Sequence, residues 1–101
     1  LFVSRLPILP GAEGFARKPY MTRASGTNAS FVAPDSAQEG TLDPVRLEFV
    51  FDPQTSGGMF MSVPAERAEE LVNALRERGL GAATIVGEAL PRGEKALVIA
   101  E

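Results

Sequence analysis

The sequence predicts an α/β domain, a mixed β-sheet with packed helices, and three observations carry that prediction. Four short runs rich in β-branched and large apolar residues, Leu47 to Phe51, Met59 to Val63, Thr84 to Val86 and Leu97 to Ile99, are set off by Gly, Pro and Asp as strands are. Between the second and third runs, Ala68, Leu71, Val72 and Leu75 recur at i, i+3, i+4 and i+7, the stripe of an amphipathic helix. Strands on both sides of one helix fit a right-handed crossover within a sheet. With 101 residues, the chain 1–101 is expected to form a single domain. Area scaling gives about 5,500 Å² exposed when folded against about 15,500 Å² unfolded, so a core needs no disulfide or metal staple.

Residues 1–46 read as loop-rich. Ala12 to Arg17 predicts a short helix that stops by Lys18, because the residue before Pro19 is driven out of the helical region. Thr22 to Asn28 is small and polar and reads as a loop, Ser30 to Val32 as a brief strand, and Ala33 to Pro44 as a second loop. Residues 47–101 read strand, strand, helix, strand, strand. Leu47-Glu48-Phe49-Val50-Phe51 alternates, placing Leu47, Phe49 and Phe51 on one face of a strand that Asp52-Pro53 ends. Met59, Phe60 and Met61 in the next strand are expected to pack on the sheet. Pro64 opens the helix where a missing N–H costs nothing, and Gly79 supplies the left-handed residue that closes it.

Composition removes several chemistries. The chain has no cysteine, histidine or tryptophan, which excludes thiol nucleophiles, imidazole bases, Cys/His zinc sites and Ser-His-Asp triads. The net charge of −3 is carried by residues 51–101, and neither half presents a nucleic-acid surface. The one basic cluster, Arg17, Lys18 and Arg23, reads as a solvated edge. No apolar run approaches the ~18–20 residues of a membrane helix, so a soluble, cytoplasmic domain is expected, and the lack of cysteine fits a reducing compartment. Leu1 in place of Met points to a piece cut from something longer.

One stretch is unusual enough to carry chemistry: Asp52-Pro53-Gln54-Thr55-Ser56-Gly57-Gly58. Backbone N–H groups around two glycines can form an anion-binding nest to which Thr55 and Ser56 add hydroxyl donors. Equally, Gly57-Gly58 can serve only to permit positive φ or close backbone approach in a connection between strands. Known nucleotide motifs are absent: no P-loop is present, and Gly79-x-Gly81 lacks the third glycine of a dinucleotide fingerprint. Glu66 and Glu70 share a helical face but read as solvated, and Asp35, Asp43 and Asp52 each stand near a proline, where aspartate serves turns. No catalytic and no metal-ligating residue is assigned.

The seven residues Asp52 to Gly58, followed by an apolar run and Val63-Pro64, resemble the C-terminal region of the selenophosphate synthetase (selenide, water dikinase) family. The resemblance continues through Pro64-Ala65-Glu66-Arg67-Ala68-Glu69-Glu70-Leu71 and through Ile85-Val86-Gly87-Glu88, similar to the family's Ile-Ile-Gly-Glu. Upstream, Leu6-Pro7-Ile8-Leu9-Pro10-Gly11-Ala12 is similar to the family's entry to a helix. Thr22-x-Ala24-Ser25-Gly26-x-Asn28 resembles its Thr-Gly-Ala-Ser-Gly-Arg-Asn, with Arg23 and Thr27 as departures.

The resemblance implies the C-terminal domain fold of the aminoimidazole ribonucleotide synthetase superfamily and, for a parent enzyme, ATP-dependent formation of selenophosphate from selenide. It implies ATP and Mg2+ in that parent, held by an N-terminal domain that this sequence lacks, and a homodimer. The family's reactive Cys or selenocysteine, nearby Lys and Thr-Asp-Val-Thr-Gly-Phe-Gly motif are also missing, so no cofactor and no catalysis are expected of these residues alone. Asp52, Gln54, Thr55, Ser56, Gly57 and Gly58 stand as a candidate anion or interdomain loop, with Ser25, Gly26 and Asn28 as weaker candidates. Two alternatives remain open: a free-standing interaction module of the same fold, and another superfamily member such as a hydrogenase-maturation carbamoyl-dehydratase. The latter acts through a C-terminal cysteine, where this chain has Ile99-Ala100-Glu101.

Overall fold

Capping residues decide most of the local structure. A computed structural model describes residues 1–18, 20 and 22–101; Pro19, to which the sequence assigns the end of the first helix, lies outside the described residues, as does Met21. Gly11, at φ 83°, starts α1 (Ala12–Ala16), and the Arg17 N–H closes it on the carbonyls of Glu13 and Phe15. This is the short helix expected there. A 3-10 turn, Val3–Arg5, precedes it.

Thr22 starts α2 (Arg23–Val32) by accepting the Ser25 N–H on Oγ1 at 3.3 Å. A helix therefore replaces both the loop expected at Thr22 to Asn28 and the strand expected at Ser30 to Val32. Its Ser, Gly, Thr and Asn residues are weak helix formers, and the cap and the packing of α2 on α3 outweigh that weakness. A 3-10 turn, Ala33–Asp35, leads into β1 (Ser36–Gln38), where the sequence reads as loop.

Asp43 accepts the Val45 N–H on Oδ1 at 2.9 Å, and Pro44 opens α3 (Pro44–Phe51). The strand expected at Leu47 to Phe51 is thus a helix. The Asp-Pro pair satisfies and pre-organises a helix start. The aromatic alternation that reads as a strand is spread around a helix whose residues 45–51 are all half-buried. α4 (Ala65–Glu77) follows the expected stripe: Val72 is buried, and Ala68, Leu71, Ala74 and Leu75 are half-buried beside it. Pro64 stands at its N-cap, one residue earlier than a first-turn proline. At its end Gly79 has φ 90°, its N–H bonds the Arg76 carbonyl at 3.0 Å, and the Leu80 N–H bonds the Leu75 carbonyl at 3.0 Å. This paired closure is a Schellman motif.

The sheet is small and long-range. β1 pairs in parallel with β2 (Leu97–Ile99) in the register Ser36↔Leu97, Ala37↔Val98, Gln38↔Ile99. Phe2 makes a further parallel bridge to Ala100, and the Phe2 N–H bonds the Val86 carbonyl at 2.8 Å. Gly87 passes so close to Leu1 that a Cβ there would lie 3.2 Å from the Leu1 Cα. The α/β class stands, with a parallel crossover that runs from β1 through α3 and α4 to β2 and differs from the one the sequence predicts. Of the four strands predicted in residues 47–101 only Leu97–Ile99 forms; Thr84 to Val86 contributes one carbonyl to Phe2, and Met59 to Val63 runs without strand, turn or bend. Met59, Phe60 and Met61, expected to pack on the sheet, are instead exposed at 82%, 74% and 51%.

The core sits where these pieces meet. Val3 and Ile99 are fully buried. Arg46 on α3 locks the surrounding elements, donating from Nη1 to the Val3 carbonyl at 3.0 Å and the Ser4 carbonyl at 2.9 Å and from Nη2 to Glu13 Oε1 at 2.9 Å. One side chain thus ties the first 3-10 turn, α1 and α3 together.

Candidate functional site

The fold joins the two motif segments that stand apart in the sequence. Thr22 Oγ1, at the start of α2, donates to Asp52 Oδ1 at 3.2 Å and lies 2.9 Å from the hydroxyl of Ser25, which is buried. One turn along α2, Asn28 Nδ2 donates to the Phe51 carbonyl at 2.8 Å, satisfying an orphan acceptor at the C-terminal end of α3. Asp52 caps α3, its N–H on the Glu48 carbonyl at 3.0 Å. Thr22, Ser25, Asn28 and Asp52 therefore form one polar seam between α2 and α3. Gly26 faces away from it as an open helix position whose carbonyl accepts from the Ser30 hydroxyl at 2.9 Å.

Electrostatics give the seam a direction. The N-terminal end of a helix favours negative charge, and the Asp52 carboxylate is delivered to that end of α2 by Thr22. An internal carboxylate already serves the position where an external anion would gain most. Thr22 belongs to the Thr22-x-Ala24-Ser25-Gly26-x-Asn28 motif but carries no role in the sequence; the signal that finds it is a threonine one residue ahead of a run of small residues, a helix start.

Beyond Asp52 the loop turns outward. The Gly57 N–H bonds the Gln54 carbonyl at 3.2 Å, closing a turn over Gln54 to Gly57, and a Cβ on Gly57 would lie 3.1 Å from the Gln54 Cβ and 3.2 Å from its carbonyl oxygen. Close approach is thus what glycine provides at 57. Positive φ is not: among the described residues the glycines with positive φ are Gly11, Gly40 and Gly79. Gly58 has open space where a Cβ would stand, and Gln54, Thr55 and Ser56 are exposed. The structure brings Asp52, Ser25 and Asn28 together and leaves Gln54, Thr55, Ser56, Gly57 and Gly58 on the rim.

Beside the seam lies a cavity of about 200 Å³ lined by Phe15, Tyr20, Glu48, Phe49 and Asp52 with Ala12 and Ala16. Glu48 Oε1 is buried without a hydrogen-bond partner among the described residues. Among those residues no group of three or more metal-ligating side chains gathers. The loop amide at Gly57 is committed to its own turn. Arg17 and Lys18 are spent locally, on Asp43 at 3.7 Å and over the Phe15 ring at 5.8 Å. Glu66 and Glu70 are exposed, with Glu70 paired to Arg67 at 2.8 Å.

An α/β chain with this seam and loop falls in a defined family. A sequence model described as AIR synthase related protein, C-terminal domain, matches residues 14–100, and the chain belongs to that family. Among curated proteins it is 34% identical over 94 residues to a selenide, water dikinase of Clostridioides difficile, covering 93% of this chain and 27% of that protein. A selenide, water dikinase of Bdellovibrio bacteriovorus is 36% identical over 95 residues, covering 94% of this chain and 27% of the relative. One from Desulfitobacterium hafniense is 39% identical over 93 residues, covering 91% and 26%. The chain thus spans about a quarter of the length of the curated relatives it matches. No solved structure matches it. No helix among the described residues is long and apolar enough to cross a membrane.

Proposed function

We propose that this chain acts as the C-terminal domain of a cytoplasmic, homodimeric selenide, water dikinase-like enzyme, which forms selenophosphate from selenide and ATP, and that it does not catalyse alone. The observation that supports this reading is similarity over nine-tenths of the chain to several proteins of that one name, each about three and a half times its length. In this reading ATP and Mg2+ are held by an N-terminal domain that is the chain's partner. The Asp52–Gly58 segment serves at the junction: the α2–α3 seam fixes its root, and Thr55 and Ser56 on the exposed rim offer hydroxyl donors to a phosphate or to the partner domain.

The test has three arms. In the gene, an upstream frame with Asp-rich motifs and a Cys-x2-Lys-like segment supports the enzyme, whereas a start codon near Leu1 overturns it in favour of a free-standing module. In such an enzyme, Thr55→Ala/Ser56→Ala is expected to lower turnover at least tenfold, about 1.4 kcal/mol in the barrier, with the protein folded. Turnover equal to wild type in the folded double variant would reduce the loop to a connector. Calorimetry of the chain alone with Mg-ATP is expected to show no micromolar binding; such binding by a monomeric sample would place the nucleotide site here and refute the division of labour.

A further inference from the structure

The cavity between α1 and α3 carries an unbalanced negative charge. Two carboxylates line it, Glu48 and Asp52, four positions apart and so neighbours along α3. Glu48 is half-buried, and its Oε1 is buried with no hydrogen-bond partner among the described residues. A carboxylate held in that way costs free energy until a partner meets it. Asp52 accepts from Thr22 on Oδ1 at 3.2 Å. The C-terminal end of α3 adds partial negative charge, and the residue whose N–H would satisfy the Phe49 carbonyl is Pro53, which has none. Among the described residues no basic side chain lines the cavity, and no ion pair reaches Glu48 or Asp52.

Its walls supply the other half of a cation site. Phe15, Tyr20 and Phe49 line the same space, and the faces of aromatic rings attract cations. One ring already does so, since Lys18 Nζ stands 5.8 Å from the centroid of Phe15. The volume of about 200 Å³ is below the roughly 300–1,000 Å³ of a small-molecule site and suits a single long side chain. Phe15 and Tyr20 meet edge to face at 6.1 Å and are 60% and 68% exposed, so they form the rim. A free cation would leave those rings wet, whereas a polypeptide that delivers its side chain into the cavity would cover them.

We infer that this cavity receives an arginine side chain from a polypeptide partner, its guanidinium meeting Glu48 and Asp52 and its flat face lying on the aromatic wall. Arginine suits the site better than lysine. Its planar fork can donate to two carboxylates at once, where an ammonium is a point charge. It also stacks on aromatic rings and is more weakly hydrated, so it enters a partly buried site with less loss. An arginine seated among aromatic rings is the kind of anchor that carries much of an interface's binding energy. The inference rests on the cavity and stands apart from the enzymatic reading above.

Nuclear magnetic resonance of the 101-residue chain, titrated with a blocked Gly-Arg-Gly tripeptide, tests it. The amides of Phe15, Tyr20, Glu48, Phe49 and Asp52 are expected to shift together and to saturate in the millimolar range. The same tripeptide with citrulline, which keeps the shape and loses the charge, should bind at least tenfold more weakly. Propylguanidinium, a free cation with no backbone to cover the rim, should bind at least threefold more weakly than the arginine peptide. Glu48→Gln should lower affinity for that peptide at least tenfold, and because it removes an unpaired charge its thermal midpoint should equal or exceed that of wild type. Absence of a saturable shift, or equal binding of the citrulline peptide, would overturn the proposal. Propylguanidinium binding as tightly as the peptide would also overturn it, in favour of a free cation. A lower midpoint for Glu48→Gln would do the same, by showing that the carboxylate already has a partner within the fold.

Discussion

Asn28 is a donor aimed at the C-terminal end of a neighbouring helix, and its replacement by aspartate tests the seam more sharply than truncation does. In the folded chain its Nδ2 donates to the Phe51 carbonyl at 2.8 Å. Asn28→Ala removes one partly buried neutral hydrogen bond and should cost about 1 kcal/mol. Asn28→Asp removes the donor and also sets a carboxylate against a carbonyl oxygen, at the negative end of α3 and less than two turns along α2 from the Thr22–Asp52 contact. That repulsion should add about another 1 kcal/mol. At roughly 4–8 °C per kcal/mol for a domain of this size, the melting midpoint should fall by about 5 °C in the first variant and about 10 °C in the second. The pH dependence fixes the sign. Repulsion raises the folded-state pKa of the introduced carboxyl above the ~3.9 of an unperturbed aspartate. The variant is therefore relatively favoured below that value, where the protonated acid can again donate to Phe51, and the benefit is lost as pH rises through the raised pKa. Urea unfolding of both variants at pH 7 and pH 4 measures this, with Asn28→Ala as the reference that cancels the titration of other groups. Equal stability of the two at pH 7, or a gap that does not narrow at pH 4, would refute a donor role for Asn28.

Arg46→Ala should destabilise by about 3 kcal/mol through its two bonds to backbone carbonyls, whereas Glu13→Gln should cost only about 0.5 kcal/mol, because that pair is partly exposed, 28% at Arg46 and 38% at Glu13; a double-mutant cycle by urea unfolding checks both. Val72→Ala should cost about 2 kcal/mol and the half-exposed Leu71→Ala about 1 kcal/mol, and the reverse order in thermal unfolding would contradict the packing of α4. Gly79→Ala should cost about 1–2 kcal/mol from the left-handed backbone it must adopt, and a midpoint equal to wild type would disprove the closure of α4.

What the sequence discloses depends on how local the deciding interactions are. α4 is legible because its stripe, its opening proline and its closing glycine all lie within the segment itself. α1 is legible for the same reason. α3 is not, since Leu47 to Phe51 alternates like a strand while the residues that make it helical, Asp43 and Pro44, sit just upstream in what reads as a loop. α2 is hidden by weak propensity, and it is supported by Thr22 and by the contact from Asn28 to a residue 23 positions away. The Asp52–Gly58 motif is visible as an unusual string, but its root at Thr22 and Ser25 depends on a meeting of helices that no spacing announces. Met59 to Val63 has strand chemistry, and strand formation requires an edge to pair with.

The parallel alignment of the first residues with the last has a kinetic meaning. Leu1 to Val3 lie along Val98 to Ala100, with the Val3 N–H on the Ala100 carbonyl at 2.8 Å and the Ala100 N–H on the Leu1 carbonyl at 2.9 Å. Closing a loop of that span costs about 4 kcal/mol of chain entropy beyond a constant, before any contact in it is formed. α4, by contrast, can begin to form from its own residues. During synthesis the helices can therefore appear while the sheet waits: β1 pairs with β2 only after residues 97–99 have left the ribosome, and the fully buried side chains of Val3 and Ile99 meet no earlier. Folding around this pair is gated by β2.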